Sequence, residues 1–337
     1  LDTKNICGVF PYKSKTKSKL KKLVQNFSYL RYNKKLIREV SNLVTIDHIN
    51  AVNSILRYTK KLPDLVGFHG QTIFHDGDNN YSVQIGSPQL IAKKLRINVI
   101  SNFRENDLKN KGQGAPLAPI YHKSIIKKLK IDEPACFINI GGVANLSYCY
   151  KNNLIGFDIG PGNGLMDIFV QKFLNKNYDK NGELAAKGKI NQKLLSFFLS
   201  NDYFYKHYPK TLDRSFFNNY IEKIIEYKLN NEDALATLSE LTVQSIKRSL
   251  EFLPRRPKNI VIMGGGMFNK HLIKKLKSDQ SSKILTADEI GIRGDMIEAE
   301  LIAYLSARSI YNLPFTFPST TGVLKASSGG ILYKKPF

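Results

Sequence analysis

From Lys34 to Leu62 apolar residues recur every third or fourth position, at Leu43, Ile46, Ile49, Val52, Ile55 and Leu56, which predicts a helix. The apolar run Leu65–Phe68 predicts a short buried strand entering the polar turn His69-Gly70-Gln71-Thr72. Ile97–Ile100 predicts another strand, which opens into a polar loop from Ser101 to Gly114. That loop closes on Gly112-Gln113-Gly114-Ala115-Pro116, whose glycine and proline content disfavours helix.

The second half repeats one unit. Cys136–Ile140, Leu154–Phe157 and Ile260–Met263 read as buried strands, each followed by glycines: Gly141-Gly142, then Asp158-Ile159-Gly160-Pro161-Gly162-Asn163, then Gly264-Gly265-Gly266. Helical periodicity follows the second to about Leu174 and the third through Lys277. Further helices are predicted over Asp233–Leu253 and Met296–Tyr311. Strands alternating with helices predict an α/β architecture. We place the boundary near Lys130–Pro134, giving domains 1–132 and 133–337.

Composition agrees with two globular domains. At 337 residues, 42% apolar and 23% charged, the chain can bury sizeable cores. No apolar run approaches a membrane span, and no secretory leader pattern opens the sequence. Three cysteines, Cys7, Cys136 and Cys149, without CxxC spacing, argue for a reducing cytoplasm and against zinc. The formal net charge of +23 invites a nucleic-acid reading. The lysines, however, are spread along the chain beside many Asn and Ile. Only Lys13–Lys22 is a dense cluster, and such a run is usually a solvated face. Specific nucleic-acid binding therefore ranks last.

Two strand–glycine–helix units carry the candidate chemistry. Glycine lets backbone approach a phosphate, and the following helix N-terminus offers free N–H groups. There is no GxxxxGK[ST], and Gly160, Gly162 and Gly164 fit a dinucleotide fingerprint poorly. Asp158, at the carboxyl end of a strand beside such a loop, is placed to hold Mg²⁺, act as a general base, or merely cap the next helix. His69 is a candidate for a polar substrate, and Arg104, beside Glu105 and Asp107, for an anionic one. Glu298 interrupts an apolar helix face, either buried for a purpose or at the edge of that face.

Read together, the segments resemble the anhydro-N-acetylmuramic acid kinases of bacterial cell-wall recycling. The resemblance rests on ordered stretches from about residue 65 onward: Gly67-Phe68-His69-Gly70-Gln71-Thr72, Gln84-Ile85-Gly86, Phe103-Arg104 and Gly112–Leu117. It continues through Asn139–Leu146, Phe157-Asp158 with Gly160-Pro161-Gly162-Asn163, Tyr178-Asp179-Lys180 with Gly182, Pro209-Lys210-Thr211, and Thr237-Leu238 with Glu240-Leu241-Thr242. Gly264-Gly265-Gly266 with Asn269, Glu298-Ala299, and Pro318-Ser319 with Thr321-Gly322 complete it.

The resemblance implies two RNase-H-like α/β domains of the actin/hexokinase-like kind, with ATP and Mg²⁺ in an inter-domain cleft. It implies hydrolytic opening of 1,6-anhydro-N-acetylmuramic acid and phosphorylation of O6. On this carry-over Asp158 is the catalytic base. Gly141, Gly142, Gly160, Gly162, Asn163, Gly264, Gly265, Gly266 and Asn269 line the nucleotide, while His69, Gln71, Thr72, Arg104, Gln113 and Glu298 lie toward the sugar. A cytoplasmic protein, compatible with a homodimer and without membrane attachment, is expected.

The sequence also departs from the family pattern. The family opens with G-T-S-L-D-G-x-D, whereas this chain starts Leu1-Asp2, with Thr3 for the Gly and Asn5 for the second Asp. Asn102 replaces Asp, Ser87-Pro88 replace Asp-Gly, and Asp213 replaces Gly. The expectation is a sequence begun inside its reading frame, short of a first phosphate loop and a core strand. A weakened or inactive relative that binds sugar or nucleotide stays open as the alternative.

Overall fold

The computed structural model describes residues 6–212, 216–278, 281–294 and 296–336. The departures at Leu1–Asn5 and at Asp213 lie outside the described residues. Among those described, ten strands form: β1 (Leu65–Gly67), β2 (Gln71–Asp76), β3 (Tyr81–Ile85), β4 (Asn98–Ser101), β5 (Ala135–Ile140), β6 (Val143–Tyr150), β7 (Asn153–Pro161), β8 (Asn259–Met263), β9 (Lys283–Thr286) and β10 (Ile331–Tyr333). With the intervening helices the chain is α/β, as the alternation predicts. No helix of the described residues is long and apolar enough to cross a membrane.

The chain divides into two compact units, one of residues 1–115, 296–318 and 322–337, the other of 116–295 and 319–321. This corrects the boundary expected near Lys130–Pro134. The helix Ile297–Ile310 packs on β1 and β4, and β10 pairs antiparallel with β4, so the chain's last segment returns to the first unit. No local pattern announces that return, because the strand pairing that causes it joins Leu332 to Ile100.

In the first unit β1, β4 and β10 make a three-stranded sheet, and β2–β3 make a separate antiparallel hairpin. The helix Lys34–Leu56 is capped by the Asn33 side chain, which accepts from Leu36 N–H at 3.0 Å. Its buried face runs through Val40 and Val44, whereas Ile46 of the predicted stripe is exposed. The basic cluster lies largely on the helix Ser14–Gln25, most of its lysines solvated and Leu23 buried against Val40 and Val44. Gln71 and Thr72, expected in a turn, begin β2, and the loop Ser101–Gly114 contains a short helix, Glu105–Lys109.

The second unit carries a five-stranded sheet in the order β7-β6-β5-β8-β9. β5, β6 and β7 form an antiparallel meander, and β8 and β9 continue parallel to β5. β5 is buried along its length apart from Asn139, which suits a central strand covered on both faces. Cys136 and Cys149 are free thiols within this core, and Cys7 is exposed.

Candidate functional site

Strand pairing positions Asp158. Asn145 faces Asp158, but Ala144 faces Gly160, so Ile159 is one residue in excess and makes a β-bulge directly after the aspartate. Such a bulge bends the strand and re-aims the neighbouring side chain. Phe157 and Ile159 are buried, whereas Asp158 is half-buried. Because β7 is the sheet edge, its outer side needs partners. Asp158 N–H donates to the Lys210 carbonyl at 3.0 Å, Leu212 N–H donates to Asp158 Oδ2 at 2.8 Å, and the Tyr203 hydroxyl donates to the Asp158 carbonyl at 2.6 Å. The aspartate is thus held by the segment 203–212 rather than used as a cap for the next helix, whose N-cap Asn163 makes no side-chain cap bond.

The three glycine turns of this unit converge. Gly162 N–H and Gly164 N–H donate to the Gly142 carbonyl at 3.0 and 3.2 Å, and Asn163 Nδ2 donates to the Ile140 carbonyl at 3.3 Å. A Cβ on Gly162 would overlap the Gly141 carbonyl, and one on Gly264 would overlap Asn139 Oδ1. These glycines are required by protein packing alone. Gly141 and Gly265 differ: a Cβ there would stand 3.4 Å from the Val143 carbonyl and 3.5 Å from Asn163 Nδ2, its nearest neighbours. Among the described residues nothing demands glycine at either position, and the bare backbone leaves a cradle that a Cβ would fill. That is what a phosphate approaching backbone requires, so these residues fit a nucleotide.

Asn269 is buried and caps the helix Lys270–Lys277 through Oδ1, which accepts from Leu272 N–H at 3.0 Å. Periodicity did not single out Asn139, Tyr203 or Asp167. Asp167 lies in the first turn of the helix Gly164–Leu174, four residues after Asn163, and burial pushes its carboxyl up to about 6. Its only sequence signal is an acid in the first turn after a glycine loop.

Two of the sugar-side candidates, His69 and Arg104, are hydrogen-bonded to each other in the first unit. Arg104 Nε donates to His69 Nε2 at 3.1 Å and its Nη1 donates to the Gly114 carbonyl. His69 Nδ1 lies 3.0 Å from the Gly70 carbonyl, so the partners assign the neutral tautomer protonated at Nδ1. Burial first, then the Arg104 charge, pull the His69 pKa down to about 4. Asp107 proves to be buried, accepting from Gly114 N–H at 2.7 Å, and it shapes the loop rather than meeting solvent. Asn80 Nδ2 donates to the Gly112 carbonyl at 2.8 Å, which ties the hairpin turn to the same loop.

Gln71 Oε1 accepts from the Tyr12 hydroxyl at 3.0 Å, and Thr72 Oγ1 accepts from Gln84 Nε2 at 3.2 Å. Gln113 Nε2 reaches Asp78 at 3.4 Å, but its buried Oε1 has no hydrogen-bond partner. An orphaned acceptor of that kind awaits a donor such as a sugar hydroxyl. Glu298 stands apart: it is exposed, in the first turn of the helix Ile297–Ile310, at the edge of that face and not buried.

A family model described as anhydro-N-acetylmuramic acid kinase matches residues 3–335. The anhydro-N-acetylmuramic acid kinase of Zymomonas mobilis subsp. mobilis is 36% identical over 303 residues, 88% of this chain and 81% of that protein. That of Rhizobium etli is 35% identical over 331 residues, 96% and 88% of the two chains, and that of Pelagibacter ubique 37% identical over 325 residues, 94% and 86%. Among solved structures, a xylulose kinase from Lactobacillus acidophilus is matched at TM-score 0.35 and 11% identity, covering 86% of this chain and 69% of that one, a likeness too distant to inform the site.

Proposed function

The chain belongs to the anhydro-N-acetylmuramic acid kinase family, and from that premise we propose that it opens the 1,6-anhydro bridge of anhydro-N-acetylmuramic acid with water and passes the γ-phosphoryl group of ATP to the freed O6. The products are N-acetylmuramic acid 6-phosphate and ADP. Asp158 is the general base. It takes a proton from water as that oxygen bonds to the anomeric carbon, the bond from that carbon to O6 breaks, and O6 attacks the γ-phosphorus while ADP leaves. The observation that carries this reading is the held carboxylate of Asp158, at a β-bulge, in the same unit as the glycine cradle.

Phosphoryl transfer asks a protein mainly for positioning and charge neutralisation. Backbone N–H groups around Gly141, Gly142 and Gly265 would hold the phosphates, and the turn Gly160–Asn163, whose Gly162 and Asn163 N–H groups donate to the Gly142 and Gly141 carbonyls, braces the first of these turns. Gly264 and Gly266 shape the turn that carries Gly265, and Asn269 fixes the helix Lys270–Lys277 that follows it. His69, Gln71, Thr72, Arg104 and Gln113 would meet the sugar; Glu298 would reach it only from the exposed edge of its helix. Mg²⁺, when bound, would neutralise charge on the transferring phosphoryl group. A cytoplasmic reaction, where ATP is at hand, and a homodimer are part of the same reading, the latter open to light scattering.

The test is Asp158→Asn with turnover and sugar binding measured together. Turnover is expected to fall about 100- to 10,000-fold, the usual worth of a general base, while calorimetric sugar affinity is retained. Undiminished turnover would falsify the assignment. Sugar binding without any turnover in the parent protein would instead favour the inactive-relative reading.

A further inference from the structure

Lys210 is 1% exposed, a burial that lysines rarely tolerate. Its ammonium lies 4.7 Å from the ring centre of Tyr203, 5.0 Å from that of Phe252 and 5.5 Å from that of Phe157. It donates to the Tyr203 carbonyl at 3.1 Å. Three aromatic faces and one carbonyl offset part of the desolvation cost. Even so, burial pulls the lysine pKa down to about 8, with Lys206 adding to the effect and Asp158 opposing it. A methionine would fill such a pocket more cheaply, so the ammonium needs another reason to be there.

The hydrogen bonds supply one, because they close on Asp158. The Tyr203 hydroxyl holds the Asp158 carbonyl, the Lys210 carbonyl holds the Asp158 N–H, and Leu212 N–H, two residues on, holds Oδ2. The bond from the Lys210 ammonium to the Tyr203 carbonyl links the two ends of this strap across seven residues. Without it, the Tyr203 turn and the segment carrying the Leu212 N–H lose their direct side-chain tie.

We propose that Lys210 is a positioning residue for Asp158: its buried ammonium locks the segment 203–212 so that Leu212 N–H and the Tyr203 hydroxyl keep the carboxylate in one reactive orientation. This rests on Asp158 being the base. A side chain held a fraction of an ångström off its productive geometry costs rate without costing ground-state affinity.

The experiment compares Lys210→Met, Tyr203→Phe, the double variant and Asp158→Asn in kcat, sugar KM, calorimetric sugar affinity and thermal midpoint. Lys210→Met is expected to lower kcat about 30-fold or more, with sugar affinity within about threefold of the parent. Tyr203→Phe should show the same split. The double variant should be no worse than the more damaged single variant by more than about threefold, because both act through one strap. A parental kcat in Lys210→Met overturns the proposal, as does a loss of affinity equal to the loss of rate. If Lys210→Met does not fold, Tyr203→Phe decides, and a parental kcat there overturns it equally. Undiminished turnover in Asp158→Asn defeats the base assignment itself. An inactive Asp158→Asn beside a fully active Lys210→Met defeats only the role of the lysine.

Discussion

The backbone N–H of Asn163 donates to the carbonyl of Gly141 at 2.7 Å, so the turn after β7 lies directly on the turn after β5. Two glycine turns far apart in sequence therefore form one surface, and the third, Gly264-Gly265-Gly266, is packed on the same strand end through Asn139 and Ile140. What each glycine is for can then be separated by mutation.

Gly264 has φ +77° and ψ −174°, a conformation open essentially to glycine alone, and its Cβ would strike Asn139. Gly264→Ala should lose about 1–3 kcal/mol of stability. Gly265 is exposed and has room for a Cβ, so Gly265→Ala should keep its thermal midpoint. Its ADP affinity should nevertheless fall about tenfold, or roughly 1.4 kcal/mol, because the added methyl occupies the cradle. Calorimetry and thermal melts on both variants check this; equal ADP binding in Gly265→Ala and parent would remove the cradle from the nucleotide site.

Arg104 joins His69 to the Gly114 carbonyl with two different nitrogens, a fork that lysine cannot copy. Arg104→Lys is therefore expected to weaken sugar binding nearly as much as Arg104→Ala. Because the His69 pKa is near 4, calorimetric sugar affinity should not respond to His69 from pH 8 down to about 5. A His69-dependent step in affinity near pH 6.5, absent in His69→Gln, is the result that would contradict this.

His122 is fully buried in the second unit, stacked on Phe137 with ring centres 4.7 Å apart and 2.8 Å from Ser147 Oγ. Burial pulls its pKa down to about 3. Between the unfolded value of roughly 6.5 and that folded value, the unfolded chain takes a proton that the native state refuses. Stability is thus fully present above about pH 6.5 and declines as pH falls, by up to ~1.4 kcal/mol per pH unit from this group. Urea midpoints at several pH values should show a shallower acid slope in the paired variant His122→Phe with Ser147→Ala, which leaves no hydroxyl unpaired.

Asn269 caps the helix Lys270–Lys277, and an N-cap is worth about 1 kcal/mol. Asn269→Asp keeps an acceptor at Oδ and should hold the thermal midpoint, whereas Asn269→Ala should lower it. If both variants also lose ADP affinity to the same degree, the amide has a role at the nucleotide beyond the cap.

Strand–glycine–helix alternation, and with it the α/β class and the position of Asp158 at a strand end, was legible along the chain because periodicity and turn chemistry are local. Helix limits such as Asn231–Glu251 and Gly164–Leu174 fell close to the predicted spans for the same reason. The hairpin strand β6 and the start of β2 were missed, since polar residues such as Asn145, Ser147, Gln71 and Thr72 beside glycine turns resemble loop. Glu298 shows the limit in the other direction: an acid on an apolar helix face is exposed at the first turn, where sequence spacing could not distinguish edge from core.

Three decisions belonged to the tertiary structure. Pairing of Leu332 with Ile100 returned the chain's last segment to the first unit. One residue of register excess at Ile159 turned Asp158, and the segment around a buried Lys210 took hold of it. Close backbone approach separated Gly264, which the fold requires, from Gly265, which it leaves open. A local pattern can specify which residue sits at the end of a strand. Which way its carboxylate points depends on partners 45 to 54 positions away, and their approach is set only when the core closes.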